Sequence, residues 1–254
     1  MSEPILSIRG LTKRFGGLVA VNDVSWEVYP GEVVGLLGDN AAGKSTLIKC
    51  VSGVYHADGG EVFFGRQACH FATPMDARRA GIETIYQDLA LANNLDVSAN
   101  IFLGREMKRR YFGGIVRTLD EQTMLRESQS ALNSLEIHFP TLTQPIENLS
   151  GGQRQAVAIA RAVYWDAKLM IMDEPTNNLG VPEQQKVLAL IRKLRDQGVP
   201  VILITHILPD VFAVTDRVMV MRRGRKVTEK KTSETNTEEL VQYMVGARDD
   251  VMVH

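Results

Sequence analysis

The chain has 254 residues, of which 44% are hydrophobic and 23% charged, and its formal net charge is −1 at pH 7. These values are typical of a folded protein with one large domain or two small ones, and the near-neutral charge argues against a nucleic-acid partner. Two cysteines, Cys50 and Cys69, are too few for a disulfide framework, which favours a reducing cytosolic compartment. We expect no signal peptide, because the N-terminus has neither a basic start nor an apolar core. The longest apolar run, near residues 199–208, is too short to span a bilayer, so any membrane role would be exercised through partner proteins.

The first 87 residues alternate between strand and helix patterns. Alternating or continuous apolar positions predict the strands, and Thr73-Pro74 predicts a helix start whose end is at Gly81. The predicted strands cover residues 5–8, 19–28, 33–37, 61–64 and 82–86, and the predicted helices cover residues 43–51 and 73–81. This order of elements predicts an α/β core.

Helical periodicity dominates from Asp88 to about Trp165. Thr118 and Glu121 have the spacing of a capping box at the start of a helix. Residues 108–110, Lys-Arg-Arg, form a basic cluster that we interpret as a solvated surface. Residues 88–165 are therefore predicted to form a helical subdomain inserted between strands of the core.

The α/β pattern returns after residue 165. Strands are predicted at 168–172 and 201–204 and in a hairpin of 217–221 with 226–228, and helices at 182–197, after Pro209 and at 237–245. We therefore predict one domain over residues 1–254, with 1–87 and 166–254 as its α/β core.

A glycine-rich loop joins the apolar strand at 33–37 to the helix that follows. Residues 38–45 fit the pattern G-x-x-x-x-G-K-[ST] of a phosphate-binding P-loop. Glycines let successive backbone N–H groups point at an anion, and the helix start adds unpaired N–H groups and the positive end of its dipole. Lys44 is expected to reach the β- and γ-phosphates and Ser45 to bind Mg²⁺; the alternative is a glycine-rich turn with no ligand. The residues expected to contact the nucleotide are Gly38, Asp39, Asn40, Ala41, Ala42, Gly43, Lys44, Ser45 and Thr46.

A second small and polar cluster, Ser150-Gly151-Gly152-Gln153, precedes another predicted helix at 154–164. By the same physics it is a candidate anion site at a helix N-terminus. Taken alone, a serine N-cap in a flexible turn explains it as well.

Together, Leu149–Gln153, the P-loop and Leu169–Pro175 resemble the ATP-binding cassette ATPases over nearly the whole chain. The resemblance implies a P-loop NTPase core with a mixed sheet, antiparallel N-terminal strands and an inserted helical subdomain. In that family two cassettes pair head to tail, and ATP lies between the P-loop of one and the signature LSGGQ of the other. Ser150, Gly151, Gly152 and Gln153 would therefore act on the nucleotide held by the partner's Lys44.

The remaining motifs of that family match single positions of this chain. Phe15 is similar to the aromatic that stacks on adenine, and Gln87 to the glutamine that contacts Mg²⁺ and the attacking water. Asp173 is similar to the Mg²⁺-binding aspartate, Glu174 to the carboxylate that polarises the water, and His206 to the histidine near the γ-phosphate. The implied metal ligands are thus Ser45, Gln87 and Asp173, and the implied cofactors are ATP and Mg²⁺.

Two positions depart from the family pattern. Ala41 stands where the P-loop usually has glycine, and a Cβ there costs roughly 1–3 kcal/mol if the position needs a positive φ. Gly180 ends the sequence Asn177-Asn178-Leu179-Gly180 where the family has an aspartate that helps to couple the two sites. The first departure bears on nucleotide affinity and the second on communication between sites.

Residues 85–91 and 100–106 resemble the ATPases of bacterial monosaccharide importers of the ribose, xylose and fructose type. With one cassette in the chain, this implies a homodimer on the cytoplasmic face of the membrane that receives a permease beside Gln87. A periplasmic sugar-binding protein would take part indirectly. The alternatives are the ATPase of an amino-acid importer and a regulatory cassette with weak hydrolysis. A DNA-repair ATPase would need a long coiled-coil insertion that this sequence lacks.

Overall fold

A computed structural model of the chain describes residues 3–111 and 116–248. The strands are β1 (Leu6–Phe15), β2 (Leu18–Val28), β3 (Val33–Leu37), β4 (Gly59–Phe64), β5 (Gln67–Ala68), β6 (Ile82–Ile85), β7 (Lys108–Tyr111), β8 (Val116–Leu119), β9 (Leu169–Asp173), β10 (Val201–Ile204), β11 (Arg217–Arg222) and β12 (Arg225–Lys231). The α-helices are α1 (Lys44–Val51), α2 (Pro74–Ala80), α3 (Val97–Ile101), α4 (Glu121–Ser134), α5 (Gly151–Tyr164), α6 (Val181–Asp196), α7 (Leu208–Val214) and α8 (Thr237–Val245).

The described residues divide into two compact units. The first unit comprises residues 3–87, 167–175 and 191–248, and the second comprises residues 88–166 and 176–190. Residues 176–190, which the sequence analysis assigned to the core, group here with the helical unit. No helix in residues 3–111 and 116–248 is long and apolar enough to cross a membrane.

The first unit contains two sheets. The larger has the strand order β12-β11-β3-β10-β9-β6, in which every neighbouring pair is parallel except the terminal hairpin β11–β12. The smaller sheet, β2-β1-β4-β5, is antiparallel. The predicted α/β class, with a mixed sheet and antiparallel N-terminal strands, is confirmed.

The central strands of the larger sheet are apolar along their whole length. All residues of β3 and β10 are buried, as expected for parallel strands covered on both faces. Successive residues of β3 face different cores: Leu36 packs with Trp26 and Ile202, whereas Leu37 packs with Leu240 and Tyr243. Helix α8 therefore closes one face of the sheet, and the antiparallel strands and α1 close the other.

The second unit packs helices α3, α4 and α5 against one another. Phe102 lies edge-on to Tyr164 and Trp165, with ring centroids 4.7 and 5.8 Å away. The Trp165 indole donates to the carbonyl of Ile101 at 3.0 Å. Asn100, fully buried, donates to the carbonyl of Ala92 at 3.0 Å and accepts from its N–H at 2.7 Å, which fixes the preceding loop.

The antiparallel hairpin of β7 and β8 lies within this unit and was not predicted, although helices make up most of the segment as expected. The predicted capping box is wrong, because Thr118 lies in β8 and pairs with Arg109. Asp120 is the N-cap of α4 instead and accepts from the N–H of Thr123 at 3.3 Å. Lys108 and Arg109 are exposed, as predicted for a solvated basic surface.

Candidate nucleotide-binding site

The P-loop connects β3 to α1 through a backbone that needs glycine at two positions. Gly38 and Gly43 have φ angles of +146° and +101°. A Cβ on Gly38 would collide with the carbonyl oxygen of Met221, and one on Gly43 would lie 2.5 Å from the carbonyl oxygen of Ala20. Both glycines are therefore required by close backbone contacts as well as by their dihedral angles.

Ala41 has φ +65°, in the left-handed region. Because this positive φ brings its Cβ close to the backbone, Ala41 is strained by about 1–2 kcal/mol relative to a residue with an ordinary φ. Ala42, the next residue, has no positive φ and is buried. The loop thus carries a strained alanine beside one that packs normally.

The Lys44 ammonium lies over its own loop. It donates to the carbonyl oxygens of Gly38 at 2.7 Å and Asp39 at 3.0 Å. Burial lowers its pKa, and the negative charges of Glu174, Asp173 and Asp39 act in the opposite direction. A phosphate entering the loop would meet a lysine that is already in place and partly desolvated.

The carboxyl ends of the parallel strands bring the other predicted residues of this unit to the same sheet edge. In register, Leu36 of β3 pairs with Ile204, and Ile204 pairs with Asp173 of β9. The P-loop follows β3, Glu174 follows β9, and His206 follows β10 by two residues. This edge is where open α/β sheets bind their ligands.

Asp173 and Glu174 form an acidic pair at this edge. Burial raises the pKa of Asp173, the charge of Glu174 raises it further, and Lys44 and Lys49 oppose the shift. Glu174 has φ +53°, and its N–H donates to the carbonyl of Ile204 at 2.8 Å. Its Oε1 lies 2.9 Å from Nδ1 of His206, while its Oε2 is buried with no hydrogen-bond partner among the described residues.

These carboxylates fit a hard cation next to a phosphate. Mg²⁺ prefers one or two carboxylates together with phosphate oxygens and water, rather than a cage of protein ligands. Asp173, whose pKa is raised by burial and by the charge of Glu174, and Ser45 at the helix start supply oxygen ligands of that kind. No group of three or more His, Cys, Asp or Glu side chains suited to a metal occurs in residues 3–111 and 116–248. Gln87 follows β6 at the same edge and is exposed, so its contact with the ion stays a prediction.

An open cavity of about 530 Å³ extends from the P-loop to Phe15. Phe15 is 43% exposed, and its ring lies edge-on to Tyr55 with centroids 5.2 Å apart. The ammonium of Lys13 lies 5.3 Å from the Phe15 ring centroid. The cavity is lined by Phe15, Leu18, Val19, Ala20, Asn40, Ala41, Ala42, Gly43, Lys44, Ser45, Thr46, Arg223 and Gly224.

Five of these residues were not predicted: Leu18, Val19, Ala20, Arg223 and Gly224. The first three begin β2, directly after the turn that follows Phe15, so the aromatic itself was the signal that could have found them. The N–H of Gly224 donates to the carbonyl of Ala42 at 2.9 Å. No local sequence pattern reports that contact, because it joins segments far apart in the chain.

The signature cluster lies in the second unit. Ser150 is the N-cap of α5: it accepts from the N–H of Gln153 at 3.3 Å, and its own N–H donates to the Gln153 side chain at 2.9 Å. A Cβ on Gly151 would lie 2.7 Å from Leu179, and one on Gly152 would lie 3.0 Å from Glu183. These glycines therefore let residues 179–183 pack closely on the start of α5. A role of the cluster toward a partner's nucleotide stays a prediction.

The fold, together with the P-loop at the carboxyl edge of the larger sheet, defines a nucleotide-binding protein of the P-loop class. The ABC transporter family is matched over residues 21–177, and the chain belongs to that family.

The chain is similar to sugar-import proteins over almost all of its length. It is 49% identical to the xylose/arabinose import ATP-binding protein of Sulfolobus acidocaldarius, covering 95% of this chain and 94% of that protein. It is 43% identical to the fructose import ATP-binding protein of Rhizobium meliloti, covering 97% of this chain and 96% of that protein. A solved ATP-binding cassette of an ABC transporter, in its ADP conformation, is 25% identical with a TM-score of 0.80, covering 96% of each chain.

Proposed function

We propose that this chain is the ATP-binding and ATP-hydrolysing subunit of a monosaccharide importer. It works with Mg²⁺ as a homodimer on the cytoplasmic face of the membrane, where it drives a permease. A periplasmic sugar-binding protein delivers the sugar to that permease. The proposal of ATPase activity rests on one observation: a single sheet edge holds Lys44, Asp173, Glu174 and His206. The sugar class rests on the two relatives, which are sugar importers, and this favours it over amino-acid import.

The roles of the side chains follow from charge and geometry. Lys44 and the P-loop N–H groups bind and neutralise phosphate oxygens. Mg²⁺, held by Ser45 and Asp173 with Gln87, would supply charge neutralisation across the phosphates when bound. A cation beside Asp173 would favour the charged carboxylate, which burial and the charge of Glu174 disfavour.

Glu174 is the group that orients and polarises the attacking water. One of its oxygens is buried and unpaired, so it can accept a hydrogen bond from a water without giving up another partner. His206 holds the other oxygen and, being largely exposed, can move toward a γ-phosphate. Lys44 donates to loop carbonyl oxygens and Glu174 contacts His206, so both side chains are already positioned at the site.

In the dimer, Ser150, Gly151, Gly152 and Gln153 close the site of the opposite subunit. Exclusion of water around the phosphates strengthens every charged contact there. Phe15 stacks on adenine at the far end of the cavity.

Replacement of Lys44 by alanine tests the site. Lys44→Ala should weaken ATP binding by about tenfold or more, since hydrogen bonds to charged groups contribute roughly 1.5–3 kcal/mol. Isothermal titration with Mg²⁺ and ATP measures this, with Lys168→Ala as a lysine control outside the loop. Equal affinity in the wild type and Lys44→Ala would reject the site, and absence of ATP turnover by the wild type would favour a regulatory cassette instead.

A further inference from the structure

Three arginines lie at the tip of the β11–β12 hairpin, one at the end of β11, one in the turn and one at the start of β12, and each has different neighbours. Arg222 packs over Gly246, where any Cβ would collide with its guanidinium. Arg225 pairs with the side chain of Asn22. Arg223, which is exposed, lines the cavity that also contains the P-loop and Phe15.

The backbone of this turn is fixed to the P-loop. The N–H of Gly224 donates to the carbonyl of Ala42 at 2.9 Å, and its carbonyl accepts from the N–H of Asn22 at 2.8 Å. A Cβ added to Gly43 would be 3.3 Å from the Cα of Gly224, so the loop and the turn are in close backbone contact. Arg223 itself has φ +50°, a strained value for arginine that these contacts maintain. The base of the Arg223 side chain is therefore held at a constant position beside the loop.

The cavity that Arg223 lines is suited to an anion. Among the described residues that line it, the charged ones are Lys44 and Arg223, and no carboxylate is present. The Lys44 ammonium is directed at its own loop, at Gly38 and Asp39. A guanidinium offers several N–H donors in a planar fork that matches phosphate geometry, which an ammonium does not.

We propose that Arg223 is a second cationic contact of the bound nucleotide and binds its phosphate oxygens. This rests on the proposed nucleotide site and adds to it a residue that discriminates phosphorylated from unphosphorylated ligands. The turn of the β11–β12 hairpin then serves as one wall of the nucleotide site.

The test compares two variants with the wild type. Arg223→Asn removes the guanidinium while keeping a residue that tolerates a positive φ, and Arg223→Lys keeps the charge but loses the fork. Binding of ADP and of inorganic tripolyphosphate is measured by titration at low and high salt. We expect Arg223→Asn to weaken both ligands by about fivefold, Arg223→Lys to restore part of the loss, and the salt dependence to decrease in Arg223→Asn.

The control is Arg66→Ala, which removes an exposed arginine from another hairpin turn, where it pairs with Glu3. Unchanged affinity of Arg223→Asn for both ligands would overturn the proposal while leaving the nucleotide site intact. Loss of ADP binding with unchanged tripolyphosphate binding would place the contact on the nucleoside and also overturn it. If the wild type bound neither ligand, the proposed function itself would fail. Thermal unfolding of each variant shows whether the turn still folds.

Discussion

At the scale of single residues, Ala41 departs from the family pattern, and its backbone φ predicts a measurable effect on stability. Its φ of +65° is one that glycine adopts freely. Ala41→Gly should raise the free energy of unfolding by about 0.5–1 kcal/mol, since relief of roughly 1–2 kcal/mol of strain exceeds the added chain entropy of glycine. ATP should also bind more tightly, because the loop can turn its N–H groups inward without strain.

Ala42→Gly is the matched control for this prediction. Ala42 is buried and has an ordinary φ, so its loss of a methyl group should destabilise the protein by about 1 kcal/mol. Chemical denaturation and ATP titration of both variants measure the difference. Equal effects of the two substitutions would show that Ala41 is not strained.

Asp173 gives a second prediction at this scale, with a sign set by its raised pKa. Because folding raises the pKa of this carboxyl, the charged form destabilises the native state. Stability is therefore lost as the pH rises from the ordinary carboxyl value through the raised native value. At pH 7 and without nucleotide, Asp173→Asn should raise the melting temperature, and the gain should shrink as the pH is lowered.

The same variant should lose its response to ligand. Mg²⁺ and ATP at a hundred times the Kd stabilise a protein by about 2.7 kcal/mol, and Asp173→Asn should not show this shift. Glu61→Gln, an exposed carboxylate of β4, serves as the control and should leave both quantities unchanged. A lower melting temperature of Asp173→Asn at pH 7 would contradict the assignment of an electrostatic cost.

At the scale of the elements, the predicted permease contact lies near residues 87–105, a segment that includes helix α3. Phe102 is fully buried while the adjacent Leu103 is 43% exposed. Leu103→Glu should abolish sugar transport and leave ATP affinity within twofold, because it places a charge on the surface that the permease is predicted to cover. Leu125→Glu on α4, at a residue 38% exposed, is the control and should transport normally. Both are assayed in membranes containing the permease, and normal transport by Leu103→Glu would place the contact elsewhere.

The elements also show which sequence patterns predicted the secondary structure correctly. The continuous apolar strands were predicted correctly because burial on both faces leaves no polar position. Helix α2 begins after Thr73 with Pro74 in its first turn, as predicted, and its C-cap is Gly81, whose φ is +103°. The capping box at Thr118 failed because pairing with β7 made residues 116–119 a strand, which a local pattern cannot report. The P-loop was predictable because its residues are consecutive, whereas its contacts with Met221 and Gly224 depend on the completed sheet.

At the scale of the whole molecule, nucleotide binding should control the oligomeric state. In the proposed dimer, ATP would lie between the P-loop of one subunit and Ser150–Gln153 of the other, so ATP should favour the dimer and loss of the γ-phosphate should release it. Glu174→Gln should bind ATP normally and slow hydrolysis by about 10²–10⁴-fold. With Mg²⁺ and ATP it should elute as a dimer on size exclusion, whereas the wild type should remain mainly monomeric at steady state.

A second substitution identifies the surface that forms this dimer. Ser150→Arg in the Glu174→Gln background should return the protein to a monomer, because it places a bulky cation at the N-cap of α5 and removes the cap acceptor. Hydrolysis by Glu174→Gln at the wild-type rate would reject the role of Glu174. A Glu174→Gln protein that binds ATP and stays monomeric at high concentration would mean that the dimer needs the permease.

The position of β3 has a consequence for synthesis of the chain on the ribosome. Both of its hydrogen-bonded neighbours, β10 and β11, come from residues after 200, and the support beneath the P-loop comes from residues 221–224. The motif that defines the protein is therefore translated early but lacks its neighbouring strands until most of the polypeptide has emerged. We therefore expect the loop to take its nucleotide-binding geometry only after residues 201–224 have left the ribosome.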